Sequence, residues 1–318
     1  MLLRGIQLLL LFLLCVVGTS VGAQAVQDAA PPAQVLIISN ERGGAYDETI
    51  DVLRERLTQL DPPPLIEIRP WDDAGLGTPA SVIVTIGAKA AAEVGAGSDD
   101  AVVFNTLLPS HSFTHLHRDR SAAELSRISA VFLDQPVSRQ IALIHEALPG
   151  WTDIALISGP TSRDLSAAIE TEAQRSGLSV RRSDIDSDRE LFRALQETLQ
   201  SPALLIAVPD RDLYNSTTIQ NILLTSYRKR SPLVGFSAAY VRAGALIAVY
   251  SHPAQVASQT AEVVAMVLRG DPIPPPRYPT AFEVGINQTV ARSLGIRLDS
   301  ARVIEARLRL LEGGISHD

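Results

Sequence analysis

Cysteine is nearly missing from this chain: there is one among 318 residues, Cys15, and it falls inside an apolar leader. Once that leader is removed, the chain has no disulfide, no thiol nucleophile and no cysteine metal site, so a packed core has to hold the fold. Excess positive charge is missing too. A formal net charge of −7 argues against a nucleic-acid partner, because binding by counterion release needs clustered Lys and Arg. The two dense basic spots, Arg181-Arg182 and Arg228-Lys229-Arg230, read as solvated ends of elements. Beyond the leader, no segment is long and apolar enough to span a bilayer. Catalytic signatures are also lacking. There is no G-x-S-x-G elbow, no G-x-x-x-x-G-K phosphate loop, no G-x-G-x-x-G and no H-E-x-x-H, and Gly43-Gly44 lacks a third glycine. A binding protein without cofactor or metal is therefore expected rather than an enzyme. A secreted hydrolase remains the outlying alternative, since serine and carboxylate sites need no contiguous motif.

What is present begins with a targeting segment. Met1-Leu2-Leu3-Arg4 precedes a leucine-rich run to Val17 and small residues through Ala25, the pattern of a cleaved signal peptide over residues 1–25. Residues 26–34, VQDAAPPAQ, follow as a polar tether. The remainder is long enough for two domains of ordinary size. Apolar runs at 35–38, 65–68, 82–86, 101–104, 130–133, 154–157, 178–180, 203–208, 233–236 and 245–249 read as strands. Helical spacing of apolar residues fills 46–60, 138–148, 163–176, 188–199, 215–227 and 253–268. Apolar strands alternating with amphipathic helices imply parallel sheets covered on both faces. The fold class is α/β, with two interleaved Rossmann-like lobes. Breaks at Asp134-Gln135-Pro136, at Ser251-His252-Pro253 and in the proline-rich 271–276 give three crossings. They divide the chain into an N-terminal lobe, 35–134 plus 252–280, and a C-terminal lobe, 135–251 plus 281–318.

In open parallel sheets, ligands sit beyond the carboxyl ends of the strands. The loops there supply Ser39, Asn40, Glu41, Gly87, Asn105 and Thr106 in the first lobe, and Ser158, Thr161, Asp210, Ser237 and Tyr240 in the second. Hydroxyls, amides and backbone N–H groups at helix starts suit a small polar or anionic ligand. The same residue types are also ordinary helix caps. Other clusters are weaker. His111-Ser112-Phe113-Thr114-His115-Leu116-His117 sets His111 and His115 one helical turn apart, the spacing of a shared metal, but Asp119 is the sole carboxylate nearby. Asp184, Asp186 and Asp188 imitate a calcium loop, yet Arg189 stands where the turn glycine belongs and Leu195 where the closing glutamate belongs. The pairs Asp72-Asp73 and Asp99-Asp100 read as solvated turns.

The runs SAVFLDQPVSRQIALIHEALPG (129–150), GFSAAYVRAGALIAVYS (235–251) and EVGINQTVARSLGI (283–296) resemble the substrate-binding proteins of ABC transporters with the type 1 periplasmic-binding fold. Within these, the chain is similar to a subgroup that includes tryptophan-binding members. The resemblance implies a monomer in the periplasm that closes two lobes over a small solute, preferably amino-acid-like, and delivers it to an ABC permease. A member that has left transport would instead report to a membrane receptor kinase.

Overall fold

The computed structural model describes residues 34–74, 80–95 and 101–315. The leader with Cys15, the tether as far as residue 33 and the Asp99-Asp100 pair lie outside them. Two sheets carry the fold. The first has five strands, β1 (Gln34–Ser39), β2 (Leu65–Pro70), β3 (Val82–Ile86), β4 (Val102–Leu108) and β5 (Ile128–Phe132), in the order β2-β1-β3-β4-β5 and parallel throughout. The second has six, β6 (Asp153–Ser158), β7 (Ser179–Asp184), β8 (Leu204–Ile206), β9 (Leu233–Gly235), β10 (Ile247–Tyr250) and β11 (Glu283–Ile286). Their order is β7-β6-β8-β9-β10-β11, parallel except for the β10–β11 pair. One order is therefore used twice: the second strand formed lies outside the first, and those that follow stack on the other side.

The helices are α1 (Gly44–Thr58), α2 (Ala88–Val94), α3 (Ser110–Leu116), α4 (Ala122–Leu125), α5 (Val137–Ala147), α6 (Arg163–Arg175), α7 (Leu191–Thr198), α8 (Ile219–Arg228), α9 (Ala238–Ala243), α10 (Pro253–Leu268), α11 (Gln288–Leu294) and α12 (Ala301–Ile315). Alternate residues of β1 feed two separate apolar layers. Val35 and Ile37 pack with Ile50, Leu53 and Leu57 of α1 and with Val256, Ala257 and Val264 of α10. Leu36 and Ile38 pack on the other face with Ala90, Ala91 and Val94 of α2 and with Phe113 of α3. Each such buried aliphatic side chain contributes about 1.5–3 kcal/mol. Right-handed crossovers place α1 on one face and the connections that follow the reversal on the opposite face. The α1 face would be half bare, and α10 fills it from nearly two hundred residues downstream. In the second sheet α5 and α12 pack together in the same way, with α5 against α6.

Supplying those helices makes the chain cross between the sheets three times: at 133–136, at Ser251-His252 and at 279–282. One polar network ties the crossings together. Gln135 donates to Ser251 Oγ at 2.9 Å, and Ser251 donates to the Ala281 carbonyl at 2.6 Å. Arg139, buried on α5, donates to Gln135 and, at 2.9 Å, to the Pro279 carbonyl. Its Nη2 meets Glu312 of α12 at 2.8 Å. The guanidinium lies 4.1 Å from the centre of the Phe282 ring, which Arg309 also approaches at 4.5 Å.

Several elements depart from the sequence reading. The fourth strand does not end at Phe104 but runs to Leu108 with a bulge at Thr106–Leu108, where Leu107 takes φ +50°. Asn105 and Thr106 therefore sit in the sheet rather than in a loop. The helix expected from 188 opens as a 3-10 turn, and the one expected from 215 begins at Ile219, because the Asn215 side chain accepts from the Thr217 and Thr218 amides and holds a turn. Neither β11 nor α12 was anticipated.

Replacing Arg139 with alanine strands the Gln135 and Pro279 acceptors, and the expected loss is about 1–3 kcal/mol. Glu312→Gln keeps a hydrogen-bond partner at a half-exposed position and should cost well under half as much. Urea unfolding of the two variants against the parent checks the ratio.

Candidate functional site

A cleft of about 810 Å³ lies between the carboxyl ends of the two sheets. Its first wall comes from Ala88 after β3, from Leu108 and α3 after β4, and from Phe132 at the end of β5. The facing wall is Pro160 and Thr161 after β6, followed by Asp164, Leu165 and Ala168 on one side of α6. Val137 and Tyr278, beside two of the crossings, close its base.

The α3 wall is set by the first crossing. Asp134 accepts from the Ser110 amide at 2.7 Å and from the Ser110 hydroxyl at 2.6 Å, so its carboxylate caps α3 from the hinge. Burial nonetheless holds Asp134 above the usual carboxylate range, because desolvation outweighs those two bonds. The bulge at Leu107 turns Leu107 into the α1-side layer and leaves Leu108 on the α3 side, lining the cleft. Phe113, Phe132 and Tyr278 stack edge to face, with centroids 5.5 Å and 5.1 Å apart, and fix the floor beneath α3. Burial also raises the Tyr278 phenol.

On the second wall, Asp210 is saturated within its own lobe. Its carboxylate accepts from Thr161 Oγ1 at 3.0 Å, Ser162 Oγ at 2.7 Å, the Asp212 amide at 3.0 Å and the Leu213 amide at 3.3 Å. Asp210 thereby presents Thr161 to the cleft. Of the eleven residues expected to bind ligand, Thr161 is among those that line this cleft and the other ten are not. Ser39 is buried at the end of β1 and bonds the Glu41 carbonyl. Asn40 accepts from the Ala90 amide at 2.7 Å and so ties the first loop to α2. Glu41 pairs with Lys89 at 3.6 Å near the surface. At Gly87, with φ +90°, a side chain would meet Asn40 at 2.9 Å. Asn105 bonds Thr85 and the Ser129 carbonyl inside the sheet, while Thr106 accepts from Thr260 of α10 at 3.1 Å. Ser158 donates to Asp184. Ser237 caps α9, and the Tyr240 hydroxyl turns back to the Tyr214 carbonyl at 2.7 Å.

The lining residues outside the expected loops stand mainly on α3: Ser110, Ser112 and the pair His111 and His115, which the sequence offered as metal ligands, with Arg118 just beyond. Their signal was present as polar and basic residues at steps of three and four after a strand. Ending that strand at Phe104 placed the loop one turn too early. The histidine run separates in space. His111 and His115 line the cleft, whereas His117 is 3% exposed in the core and packs on Phe113 at 4.6 Å. Among the described residues, no group of three or more His, Cys, Asp or Glu side chains is placed to hold a metal ion.

A family model described as ABC transporter substrate binding protein matches residues 77–307. The chain belongs to that family. Among curated proteins, none matches it in sequence. Solved structures match along most of its length. The ligand-free, open structure of a substrate binding protein with adhesive properties from Clostridium difficile superposes with TM-score 0.69 at 13% identity, over 84% of this chain and 96% of that one. A conserved domain protein from Vibrio cholerae gives 0.63 at 18% identity over 86% and 98%, and an ABC domain in complex with L-Trp from Streptococcus pneumonia gives 0.62 at 16% over 86% and 97%. At these identities the likeness establishes the fold, that of the type 1 periplasmic binding proteins. In this substrate-binding fold the α3 and α6 walls occupy the carboxyl ends of the strands, where α/β sheets bind ligands.

Burial holds both the His111 and the His117 imidazoles below the ordinary histidine value; the Arg120 charge adds to the effect at His117, and Asp134 and Asp210 oppose it at His111. The folded state thus resists protonation that the unfolded chain accepts. The contribution of these two histidines to stability is constant above about pH 6.5 and falls as pH drops below it towards the lower folded values. Urea midpoints measured from pH 7.5 to 5 should decline, and His117→Leu should flatten part of that decline.

Proposed function

We propose that this protein is the periplasmic solute-binding component of an ABC transporter, working as a monomer that closes its two lobes over one small polar solute. The observation that carries this reading is the cleft itself: about 810 Å³, with walls from both sheets at the carboxyl ends of their strands. That volume lies within the range of small-molecule sites. Segments 35–134 plus 252–280 and 135–251 plus 281–318 act as the two rigid bodies, and the three crossings around Gln135, Ser251 and Ala281 form the hinge. The signal peptide exports the chain, and the permease receives the solute.

An amino-acid-like solute is the preferred class. Ser110, Ser112 and Thr161 offer hydroxyls beside the apolar surface of Phe132 and Leu165, a lining that suits a small molecule with a polar head and a compact body. Asp210 acts on the solute through Thr161, because its own oxygens are occupied.

The full chain, expressed with its leader and purified after export, should show a thermal midpoint that rises with one class among amino acids, sugars, nucleosides and oxyanions. At a hundredfold excess over Kd the gain is about 2.7 kcal/mol. The same solute should contract the radius of gyration in small-angle scattering. Ala168→Trp, which fills the cleft from the α6 wall, should abolish both responses without lowering the ligand-free midpoint. A midpoint shift that survives Ala168→Trp would place the binding elsewhere.

A further inference from the structure

The chain is acidic overall, with a formal net charge of −7, yet one wall of its cleft is not. His111 and His115 lie four apart on one face of α3, Arg118 follows in the turn after its last residue, Leu116, and all three line the cleft. The side chains of His115 and Arg118 make no hydrogen bond or ion pair among the described residues. The Nδ1 atom of His111 is buried without a hydrogen-bond partner among them.

The carboxylates of Asp134 and Asp210 act on His111 at the inner end of this wall, but neither pairs with His115 or Arg118. Asp134 takes both Ser110 donors, and Asp210 takes four donors of the second lobe. Among the described residues one carboxylate, Asp164, lines the cleft, and it sits on the facing wall in the first turn of α6. A cleft with low-dielectric walls focuses the Arg118 charge onto whatever enters. A free guanidinium offers the planar donor fork that carboxylates and phosphates match.

We propose that the α3 wall recognises an anionic group of the solute, a carboxylate or a phosphate, with Arg118 as its principal contact and His115 beside it. This inference rests on the cleft being the solute site. It assigns the specificity of that site to side chains outside the loop residues first expected to carry it. Asp164 opposes a simple anion, and the two charges therefore act with opposite sign.

Isothermal titration of the full exported chain with succinate, L-glutamate, 3-phenylpropionate, glycerol 3-phosphate and neutral D-ribose tests it. At least one of the anions should bind, and the carboxylate and phosphate probes show which group is read. Arg118→Ala should weaken that binding about 10- to 100-fold, the loss of charge-assisted hydrogen bonds. Asp164→Asn should tighten it about threefold, as removal of one partly screened like charge does. Raising sodium chloride from 50 to 500 mM should weaken it further. Arg118 is exposed, so its replacement leaves the fold intact. Ribose binding that is indifferent to Arg118→Ala would overturn the anionic assignment while leaving the cleft reading in place. Anion binding unmoved by either substitution would also overturn it, and no binding by any probe would count against both.

Discussion

A parallel sheet has two apolar faces, and both have to be covered. Right-handed crossovers decide which helices are locally available for that task. Where the strand order reverses beside β1 and beside β6, one face receives a single local helix, α1 in the first sheet and α6 in the second. The missing cover comes from α10 in one case and from α5 with α12 in the other. The interleaving of the two lobes follows from this need. Each helix supplied from a distant part of the sequence requires the chain to pass between the sheets, and the three passages form a connection that is hydrogen-bonded across its width.

The three-segment connection is thereby linked to the cleft. Gln135 and Arg139 bind the three crossings to one another, and Asp134, the residue immediately before Gln135, caps the helix that forms one cleft wall. The position of α3 is tied to the crossing, because its first amide and first hydroxyl are both held by it. Opposite it, Asp210 fixes Thr161 at the second reversal point, as Asn40 fixes the start of α2 at the first. In each lobe a polar side chain from one loop is clamped onto the next loop, so the walls are braced from inside their own lobe.

Much of this was readable in advance. The strand at 82–86 and the helix at 253–268 coincide with the observed elements, because continuous apolar runs and a Pro-initiated amphipathic stretch are strong local signals. Polar residues inside β4 were misleading. Asn105 and Thr106 look like loop residues until Thr85, Ser129 and Thr260 are seen to satisfy them, and those partners come from distant parts of the chain. The same displacement hid the α3 wall, whose histidines suggested a metal before they suggested a lining. Short β11 and the C-terminal α12 escaped notice because edge strands and peripheral helices carry weak periodicity. Which polar groups face the cleft and which face each other depends on partners that no local spacing encodes.

The outer strands of the two sheets show how self-association is discouraged. An unpaired strand edge is a template for another chain, and each of four edges here is blunted differently. β2 carries the Glu67–Arg69 pair and ends in Pro70. β7 presents Arg181 and Arg182, the latter bridged to Glu170 and Asp184. β5 is overlaid by the proline-rich strap, where Arg277 completes the ladder and the Pro274 carbonyl accepts from Ser129. β11 is short, runs antiparallel to its neighbour and lies against α12. The prolines of 271–276, which present no N–H to a newcomer, therefore serve as a cap on the first sheet. Replacing them with residues that can donate would open that edge to intermolecular strand pairing while leaving every residue of the cleft in place.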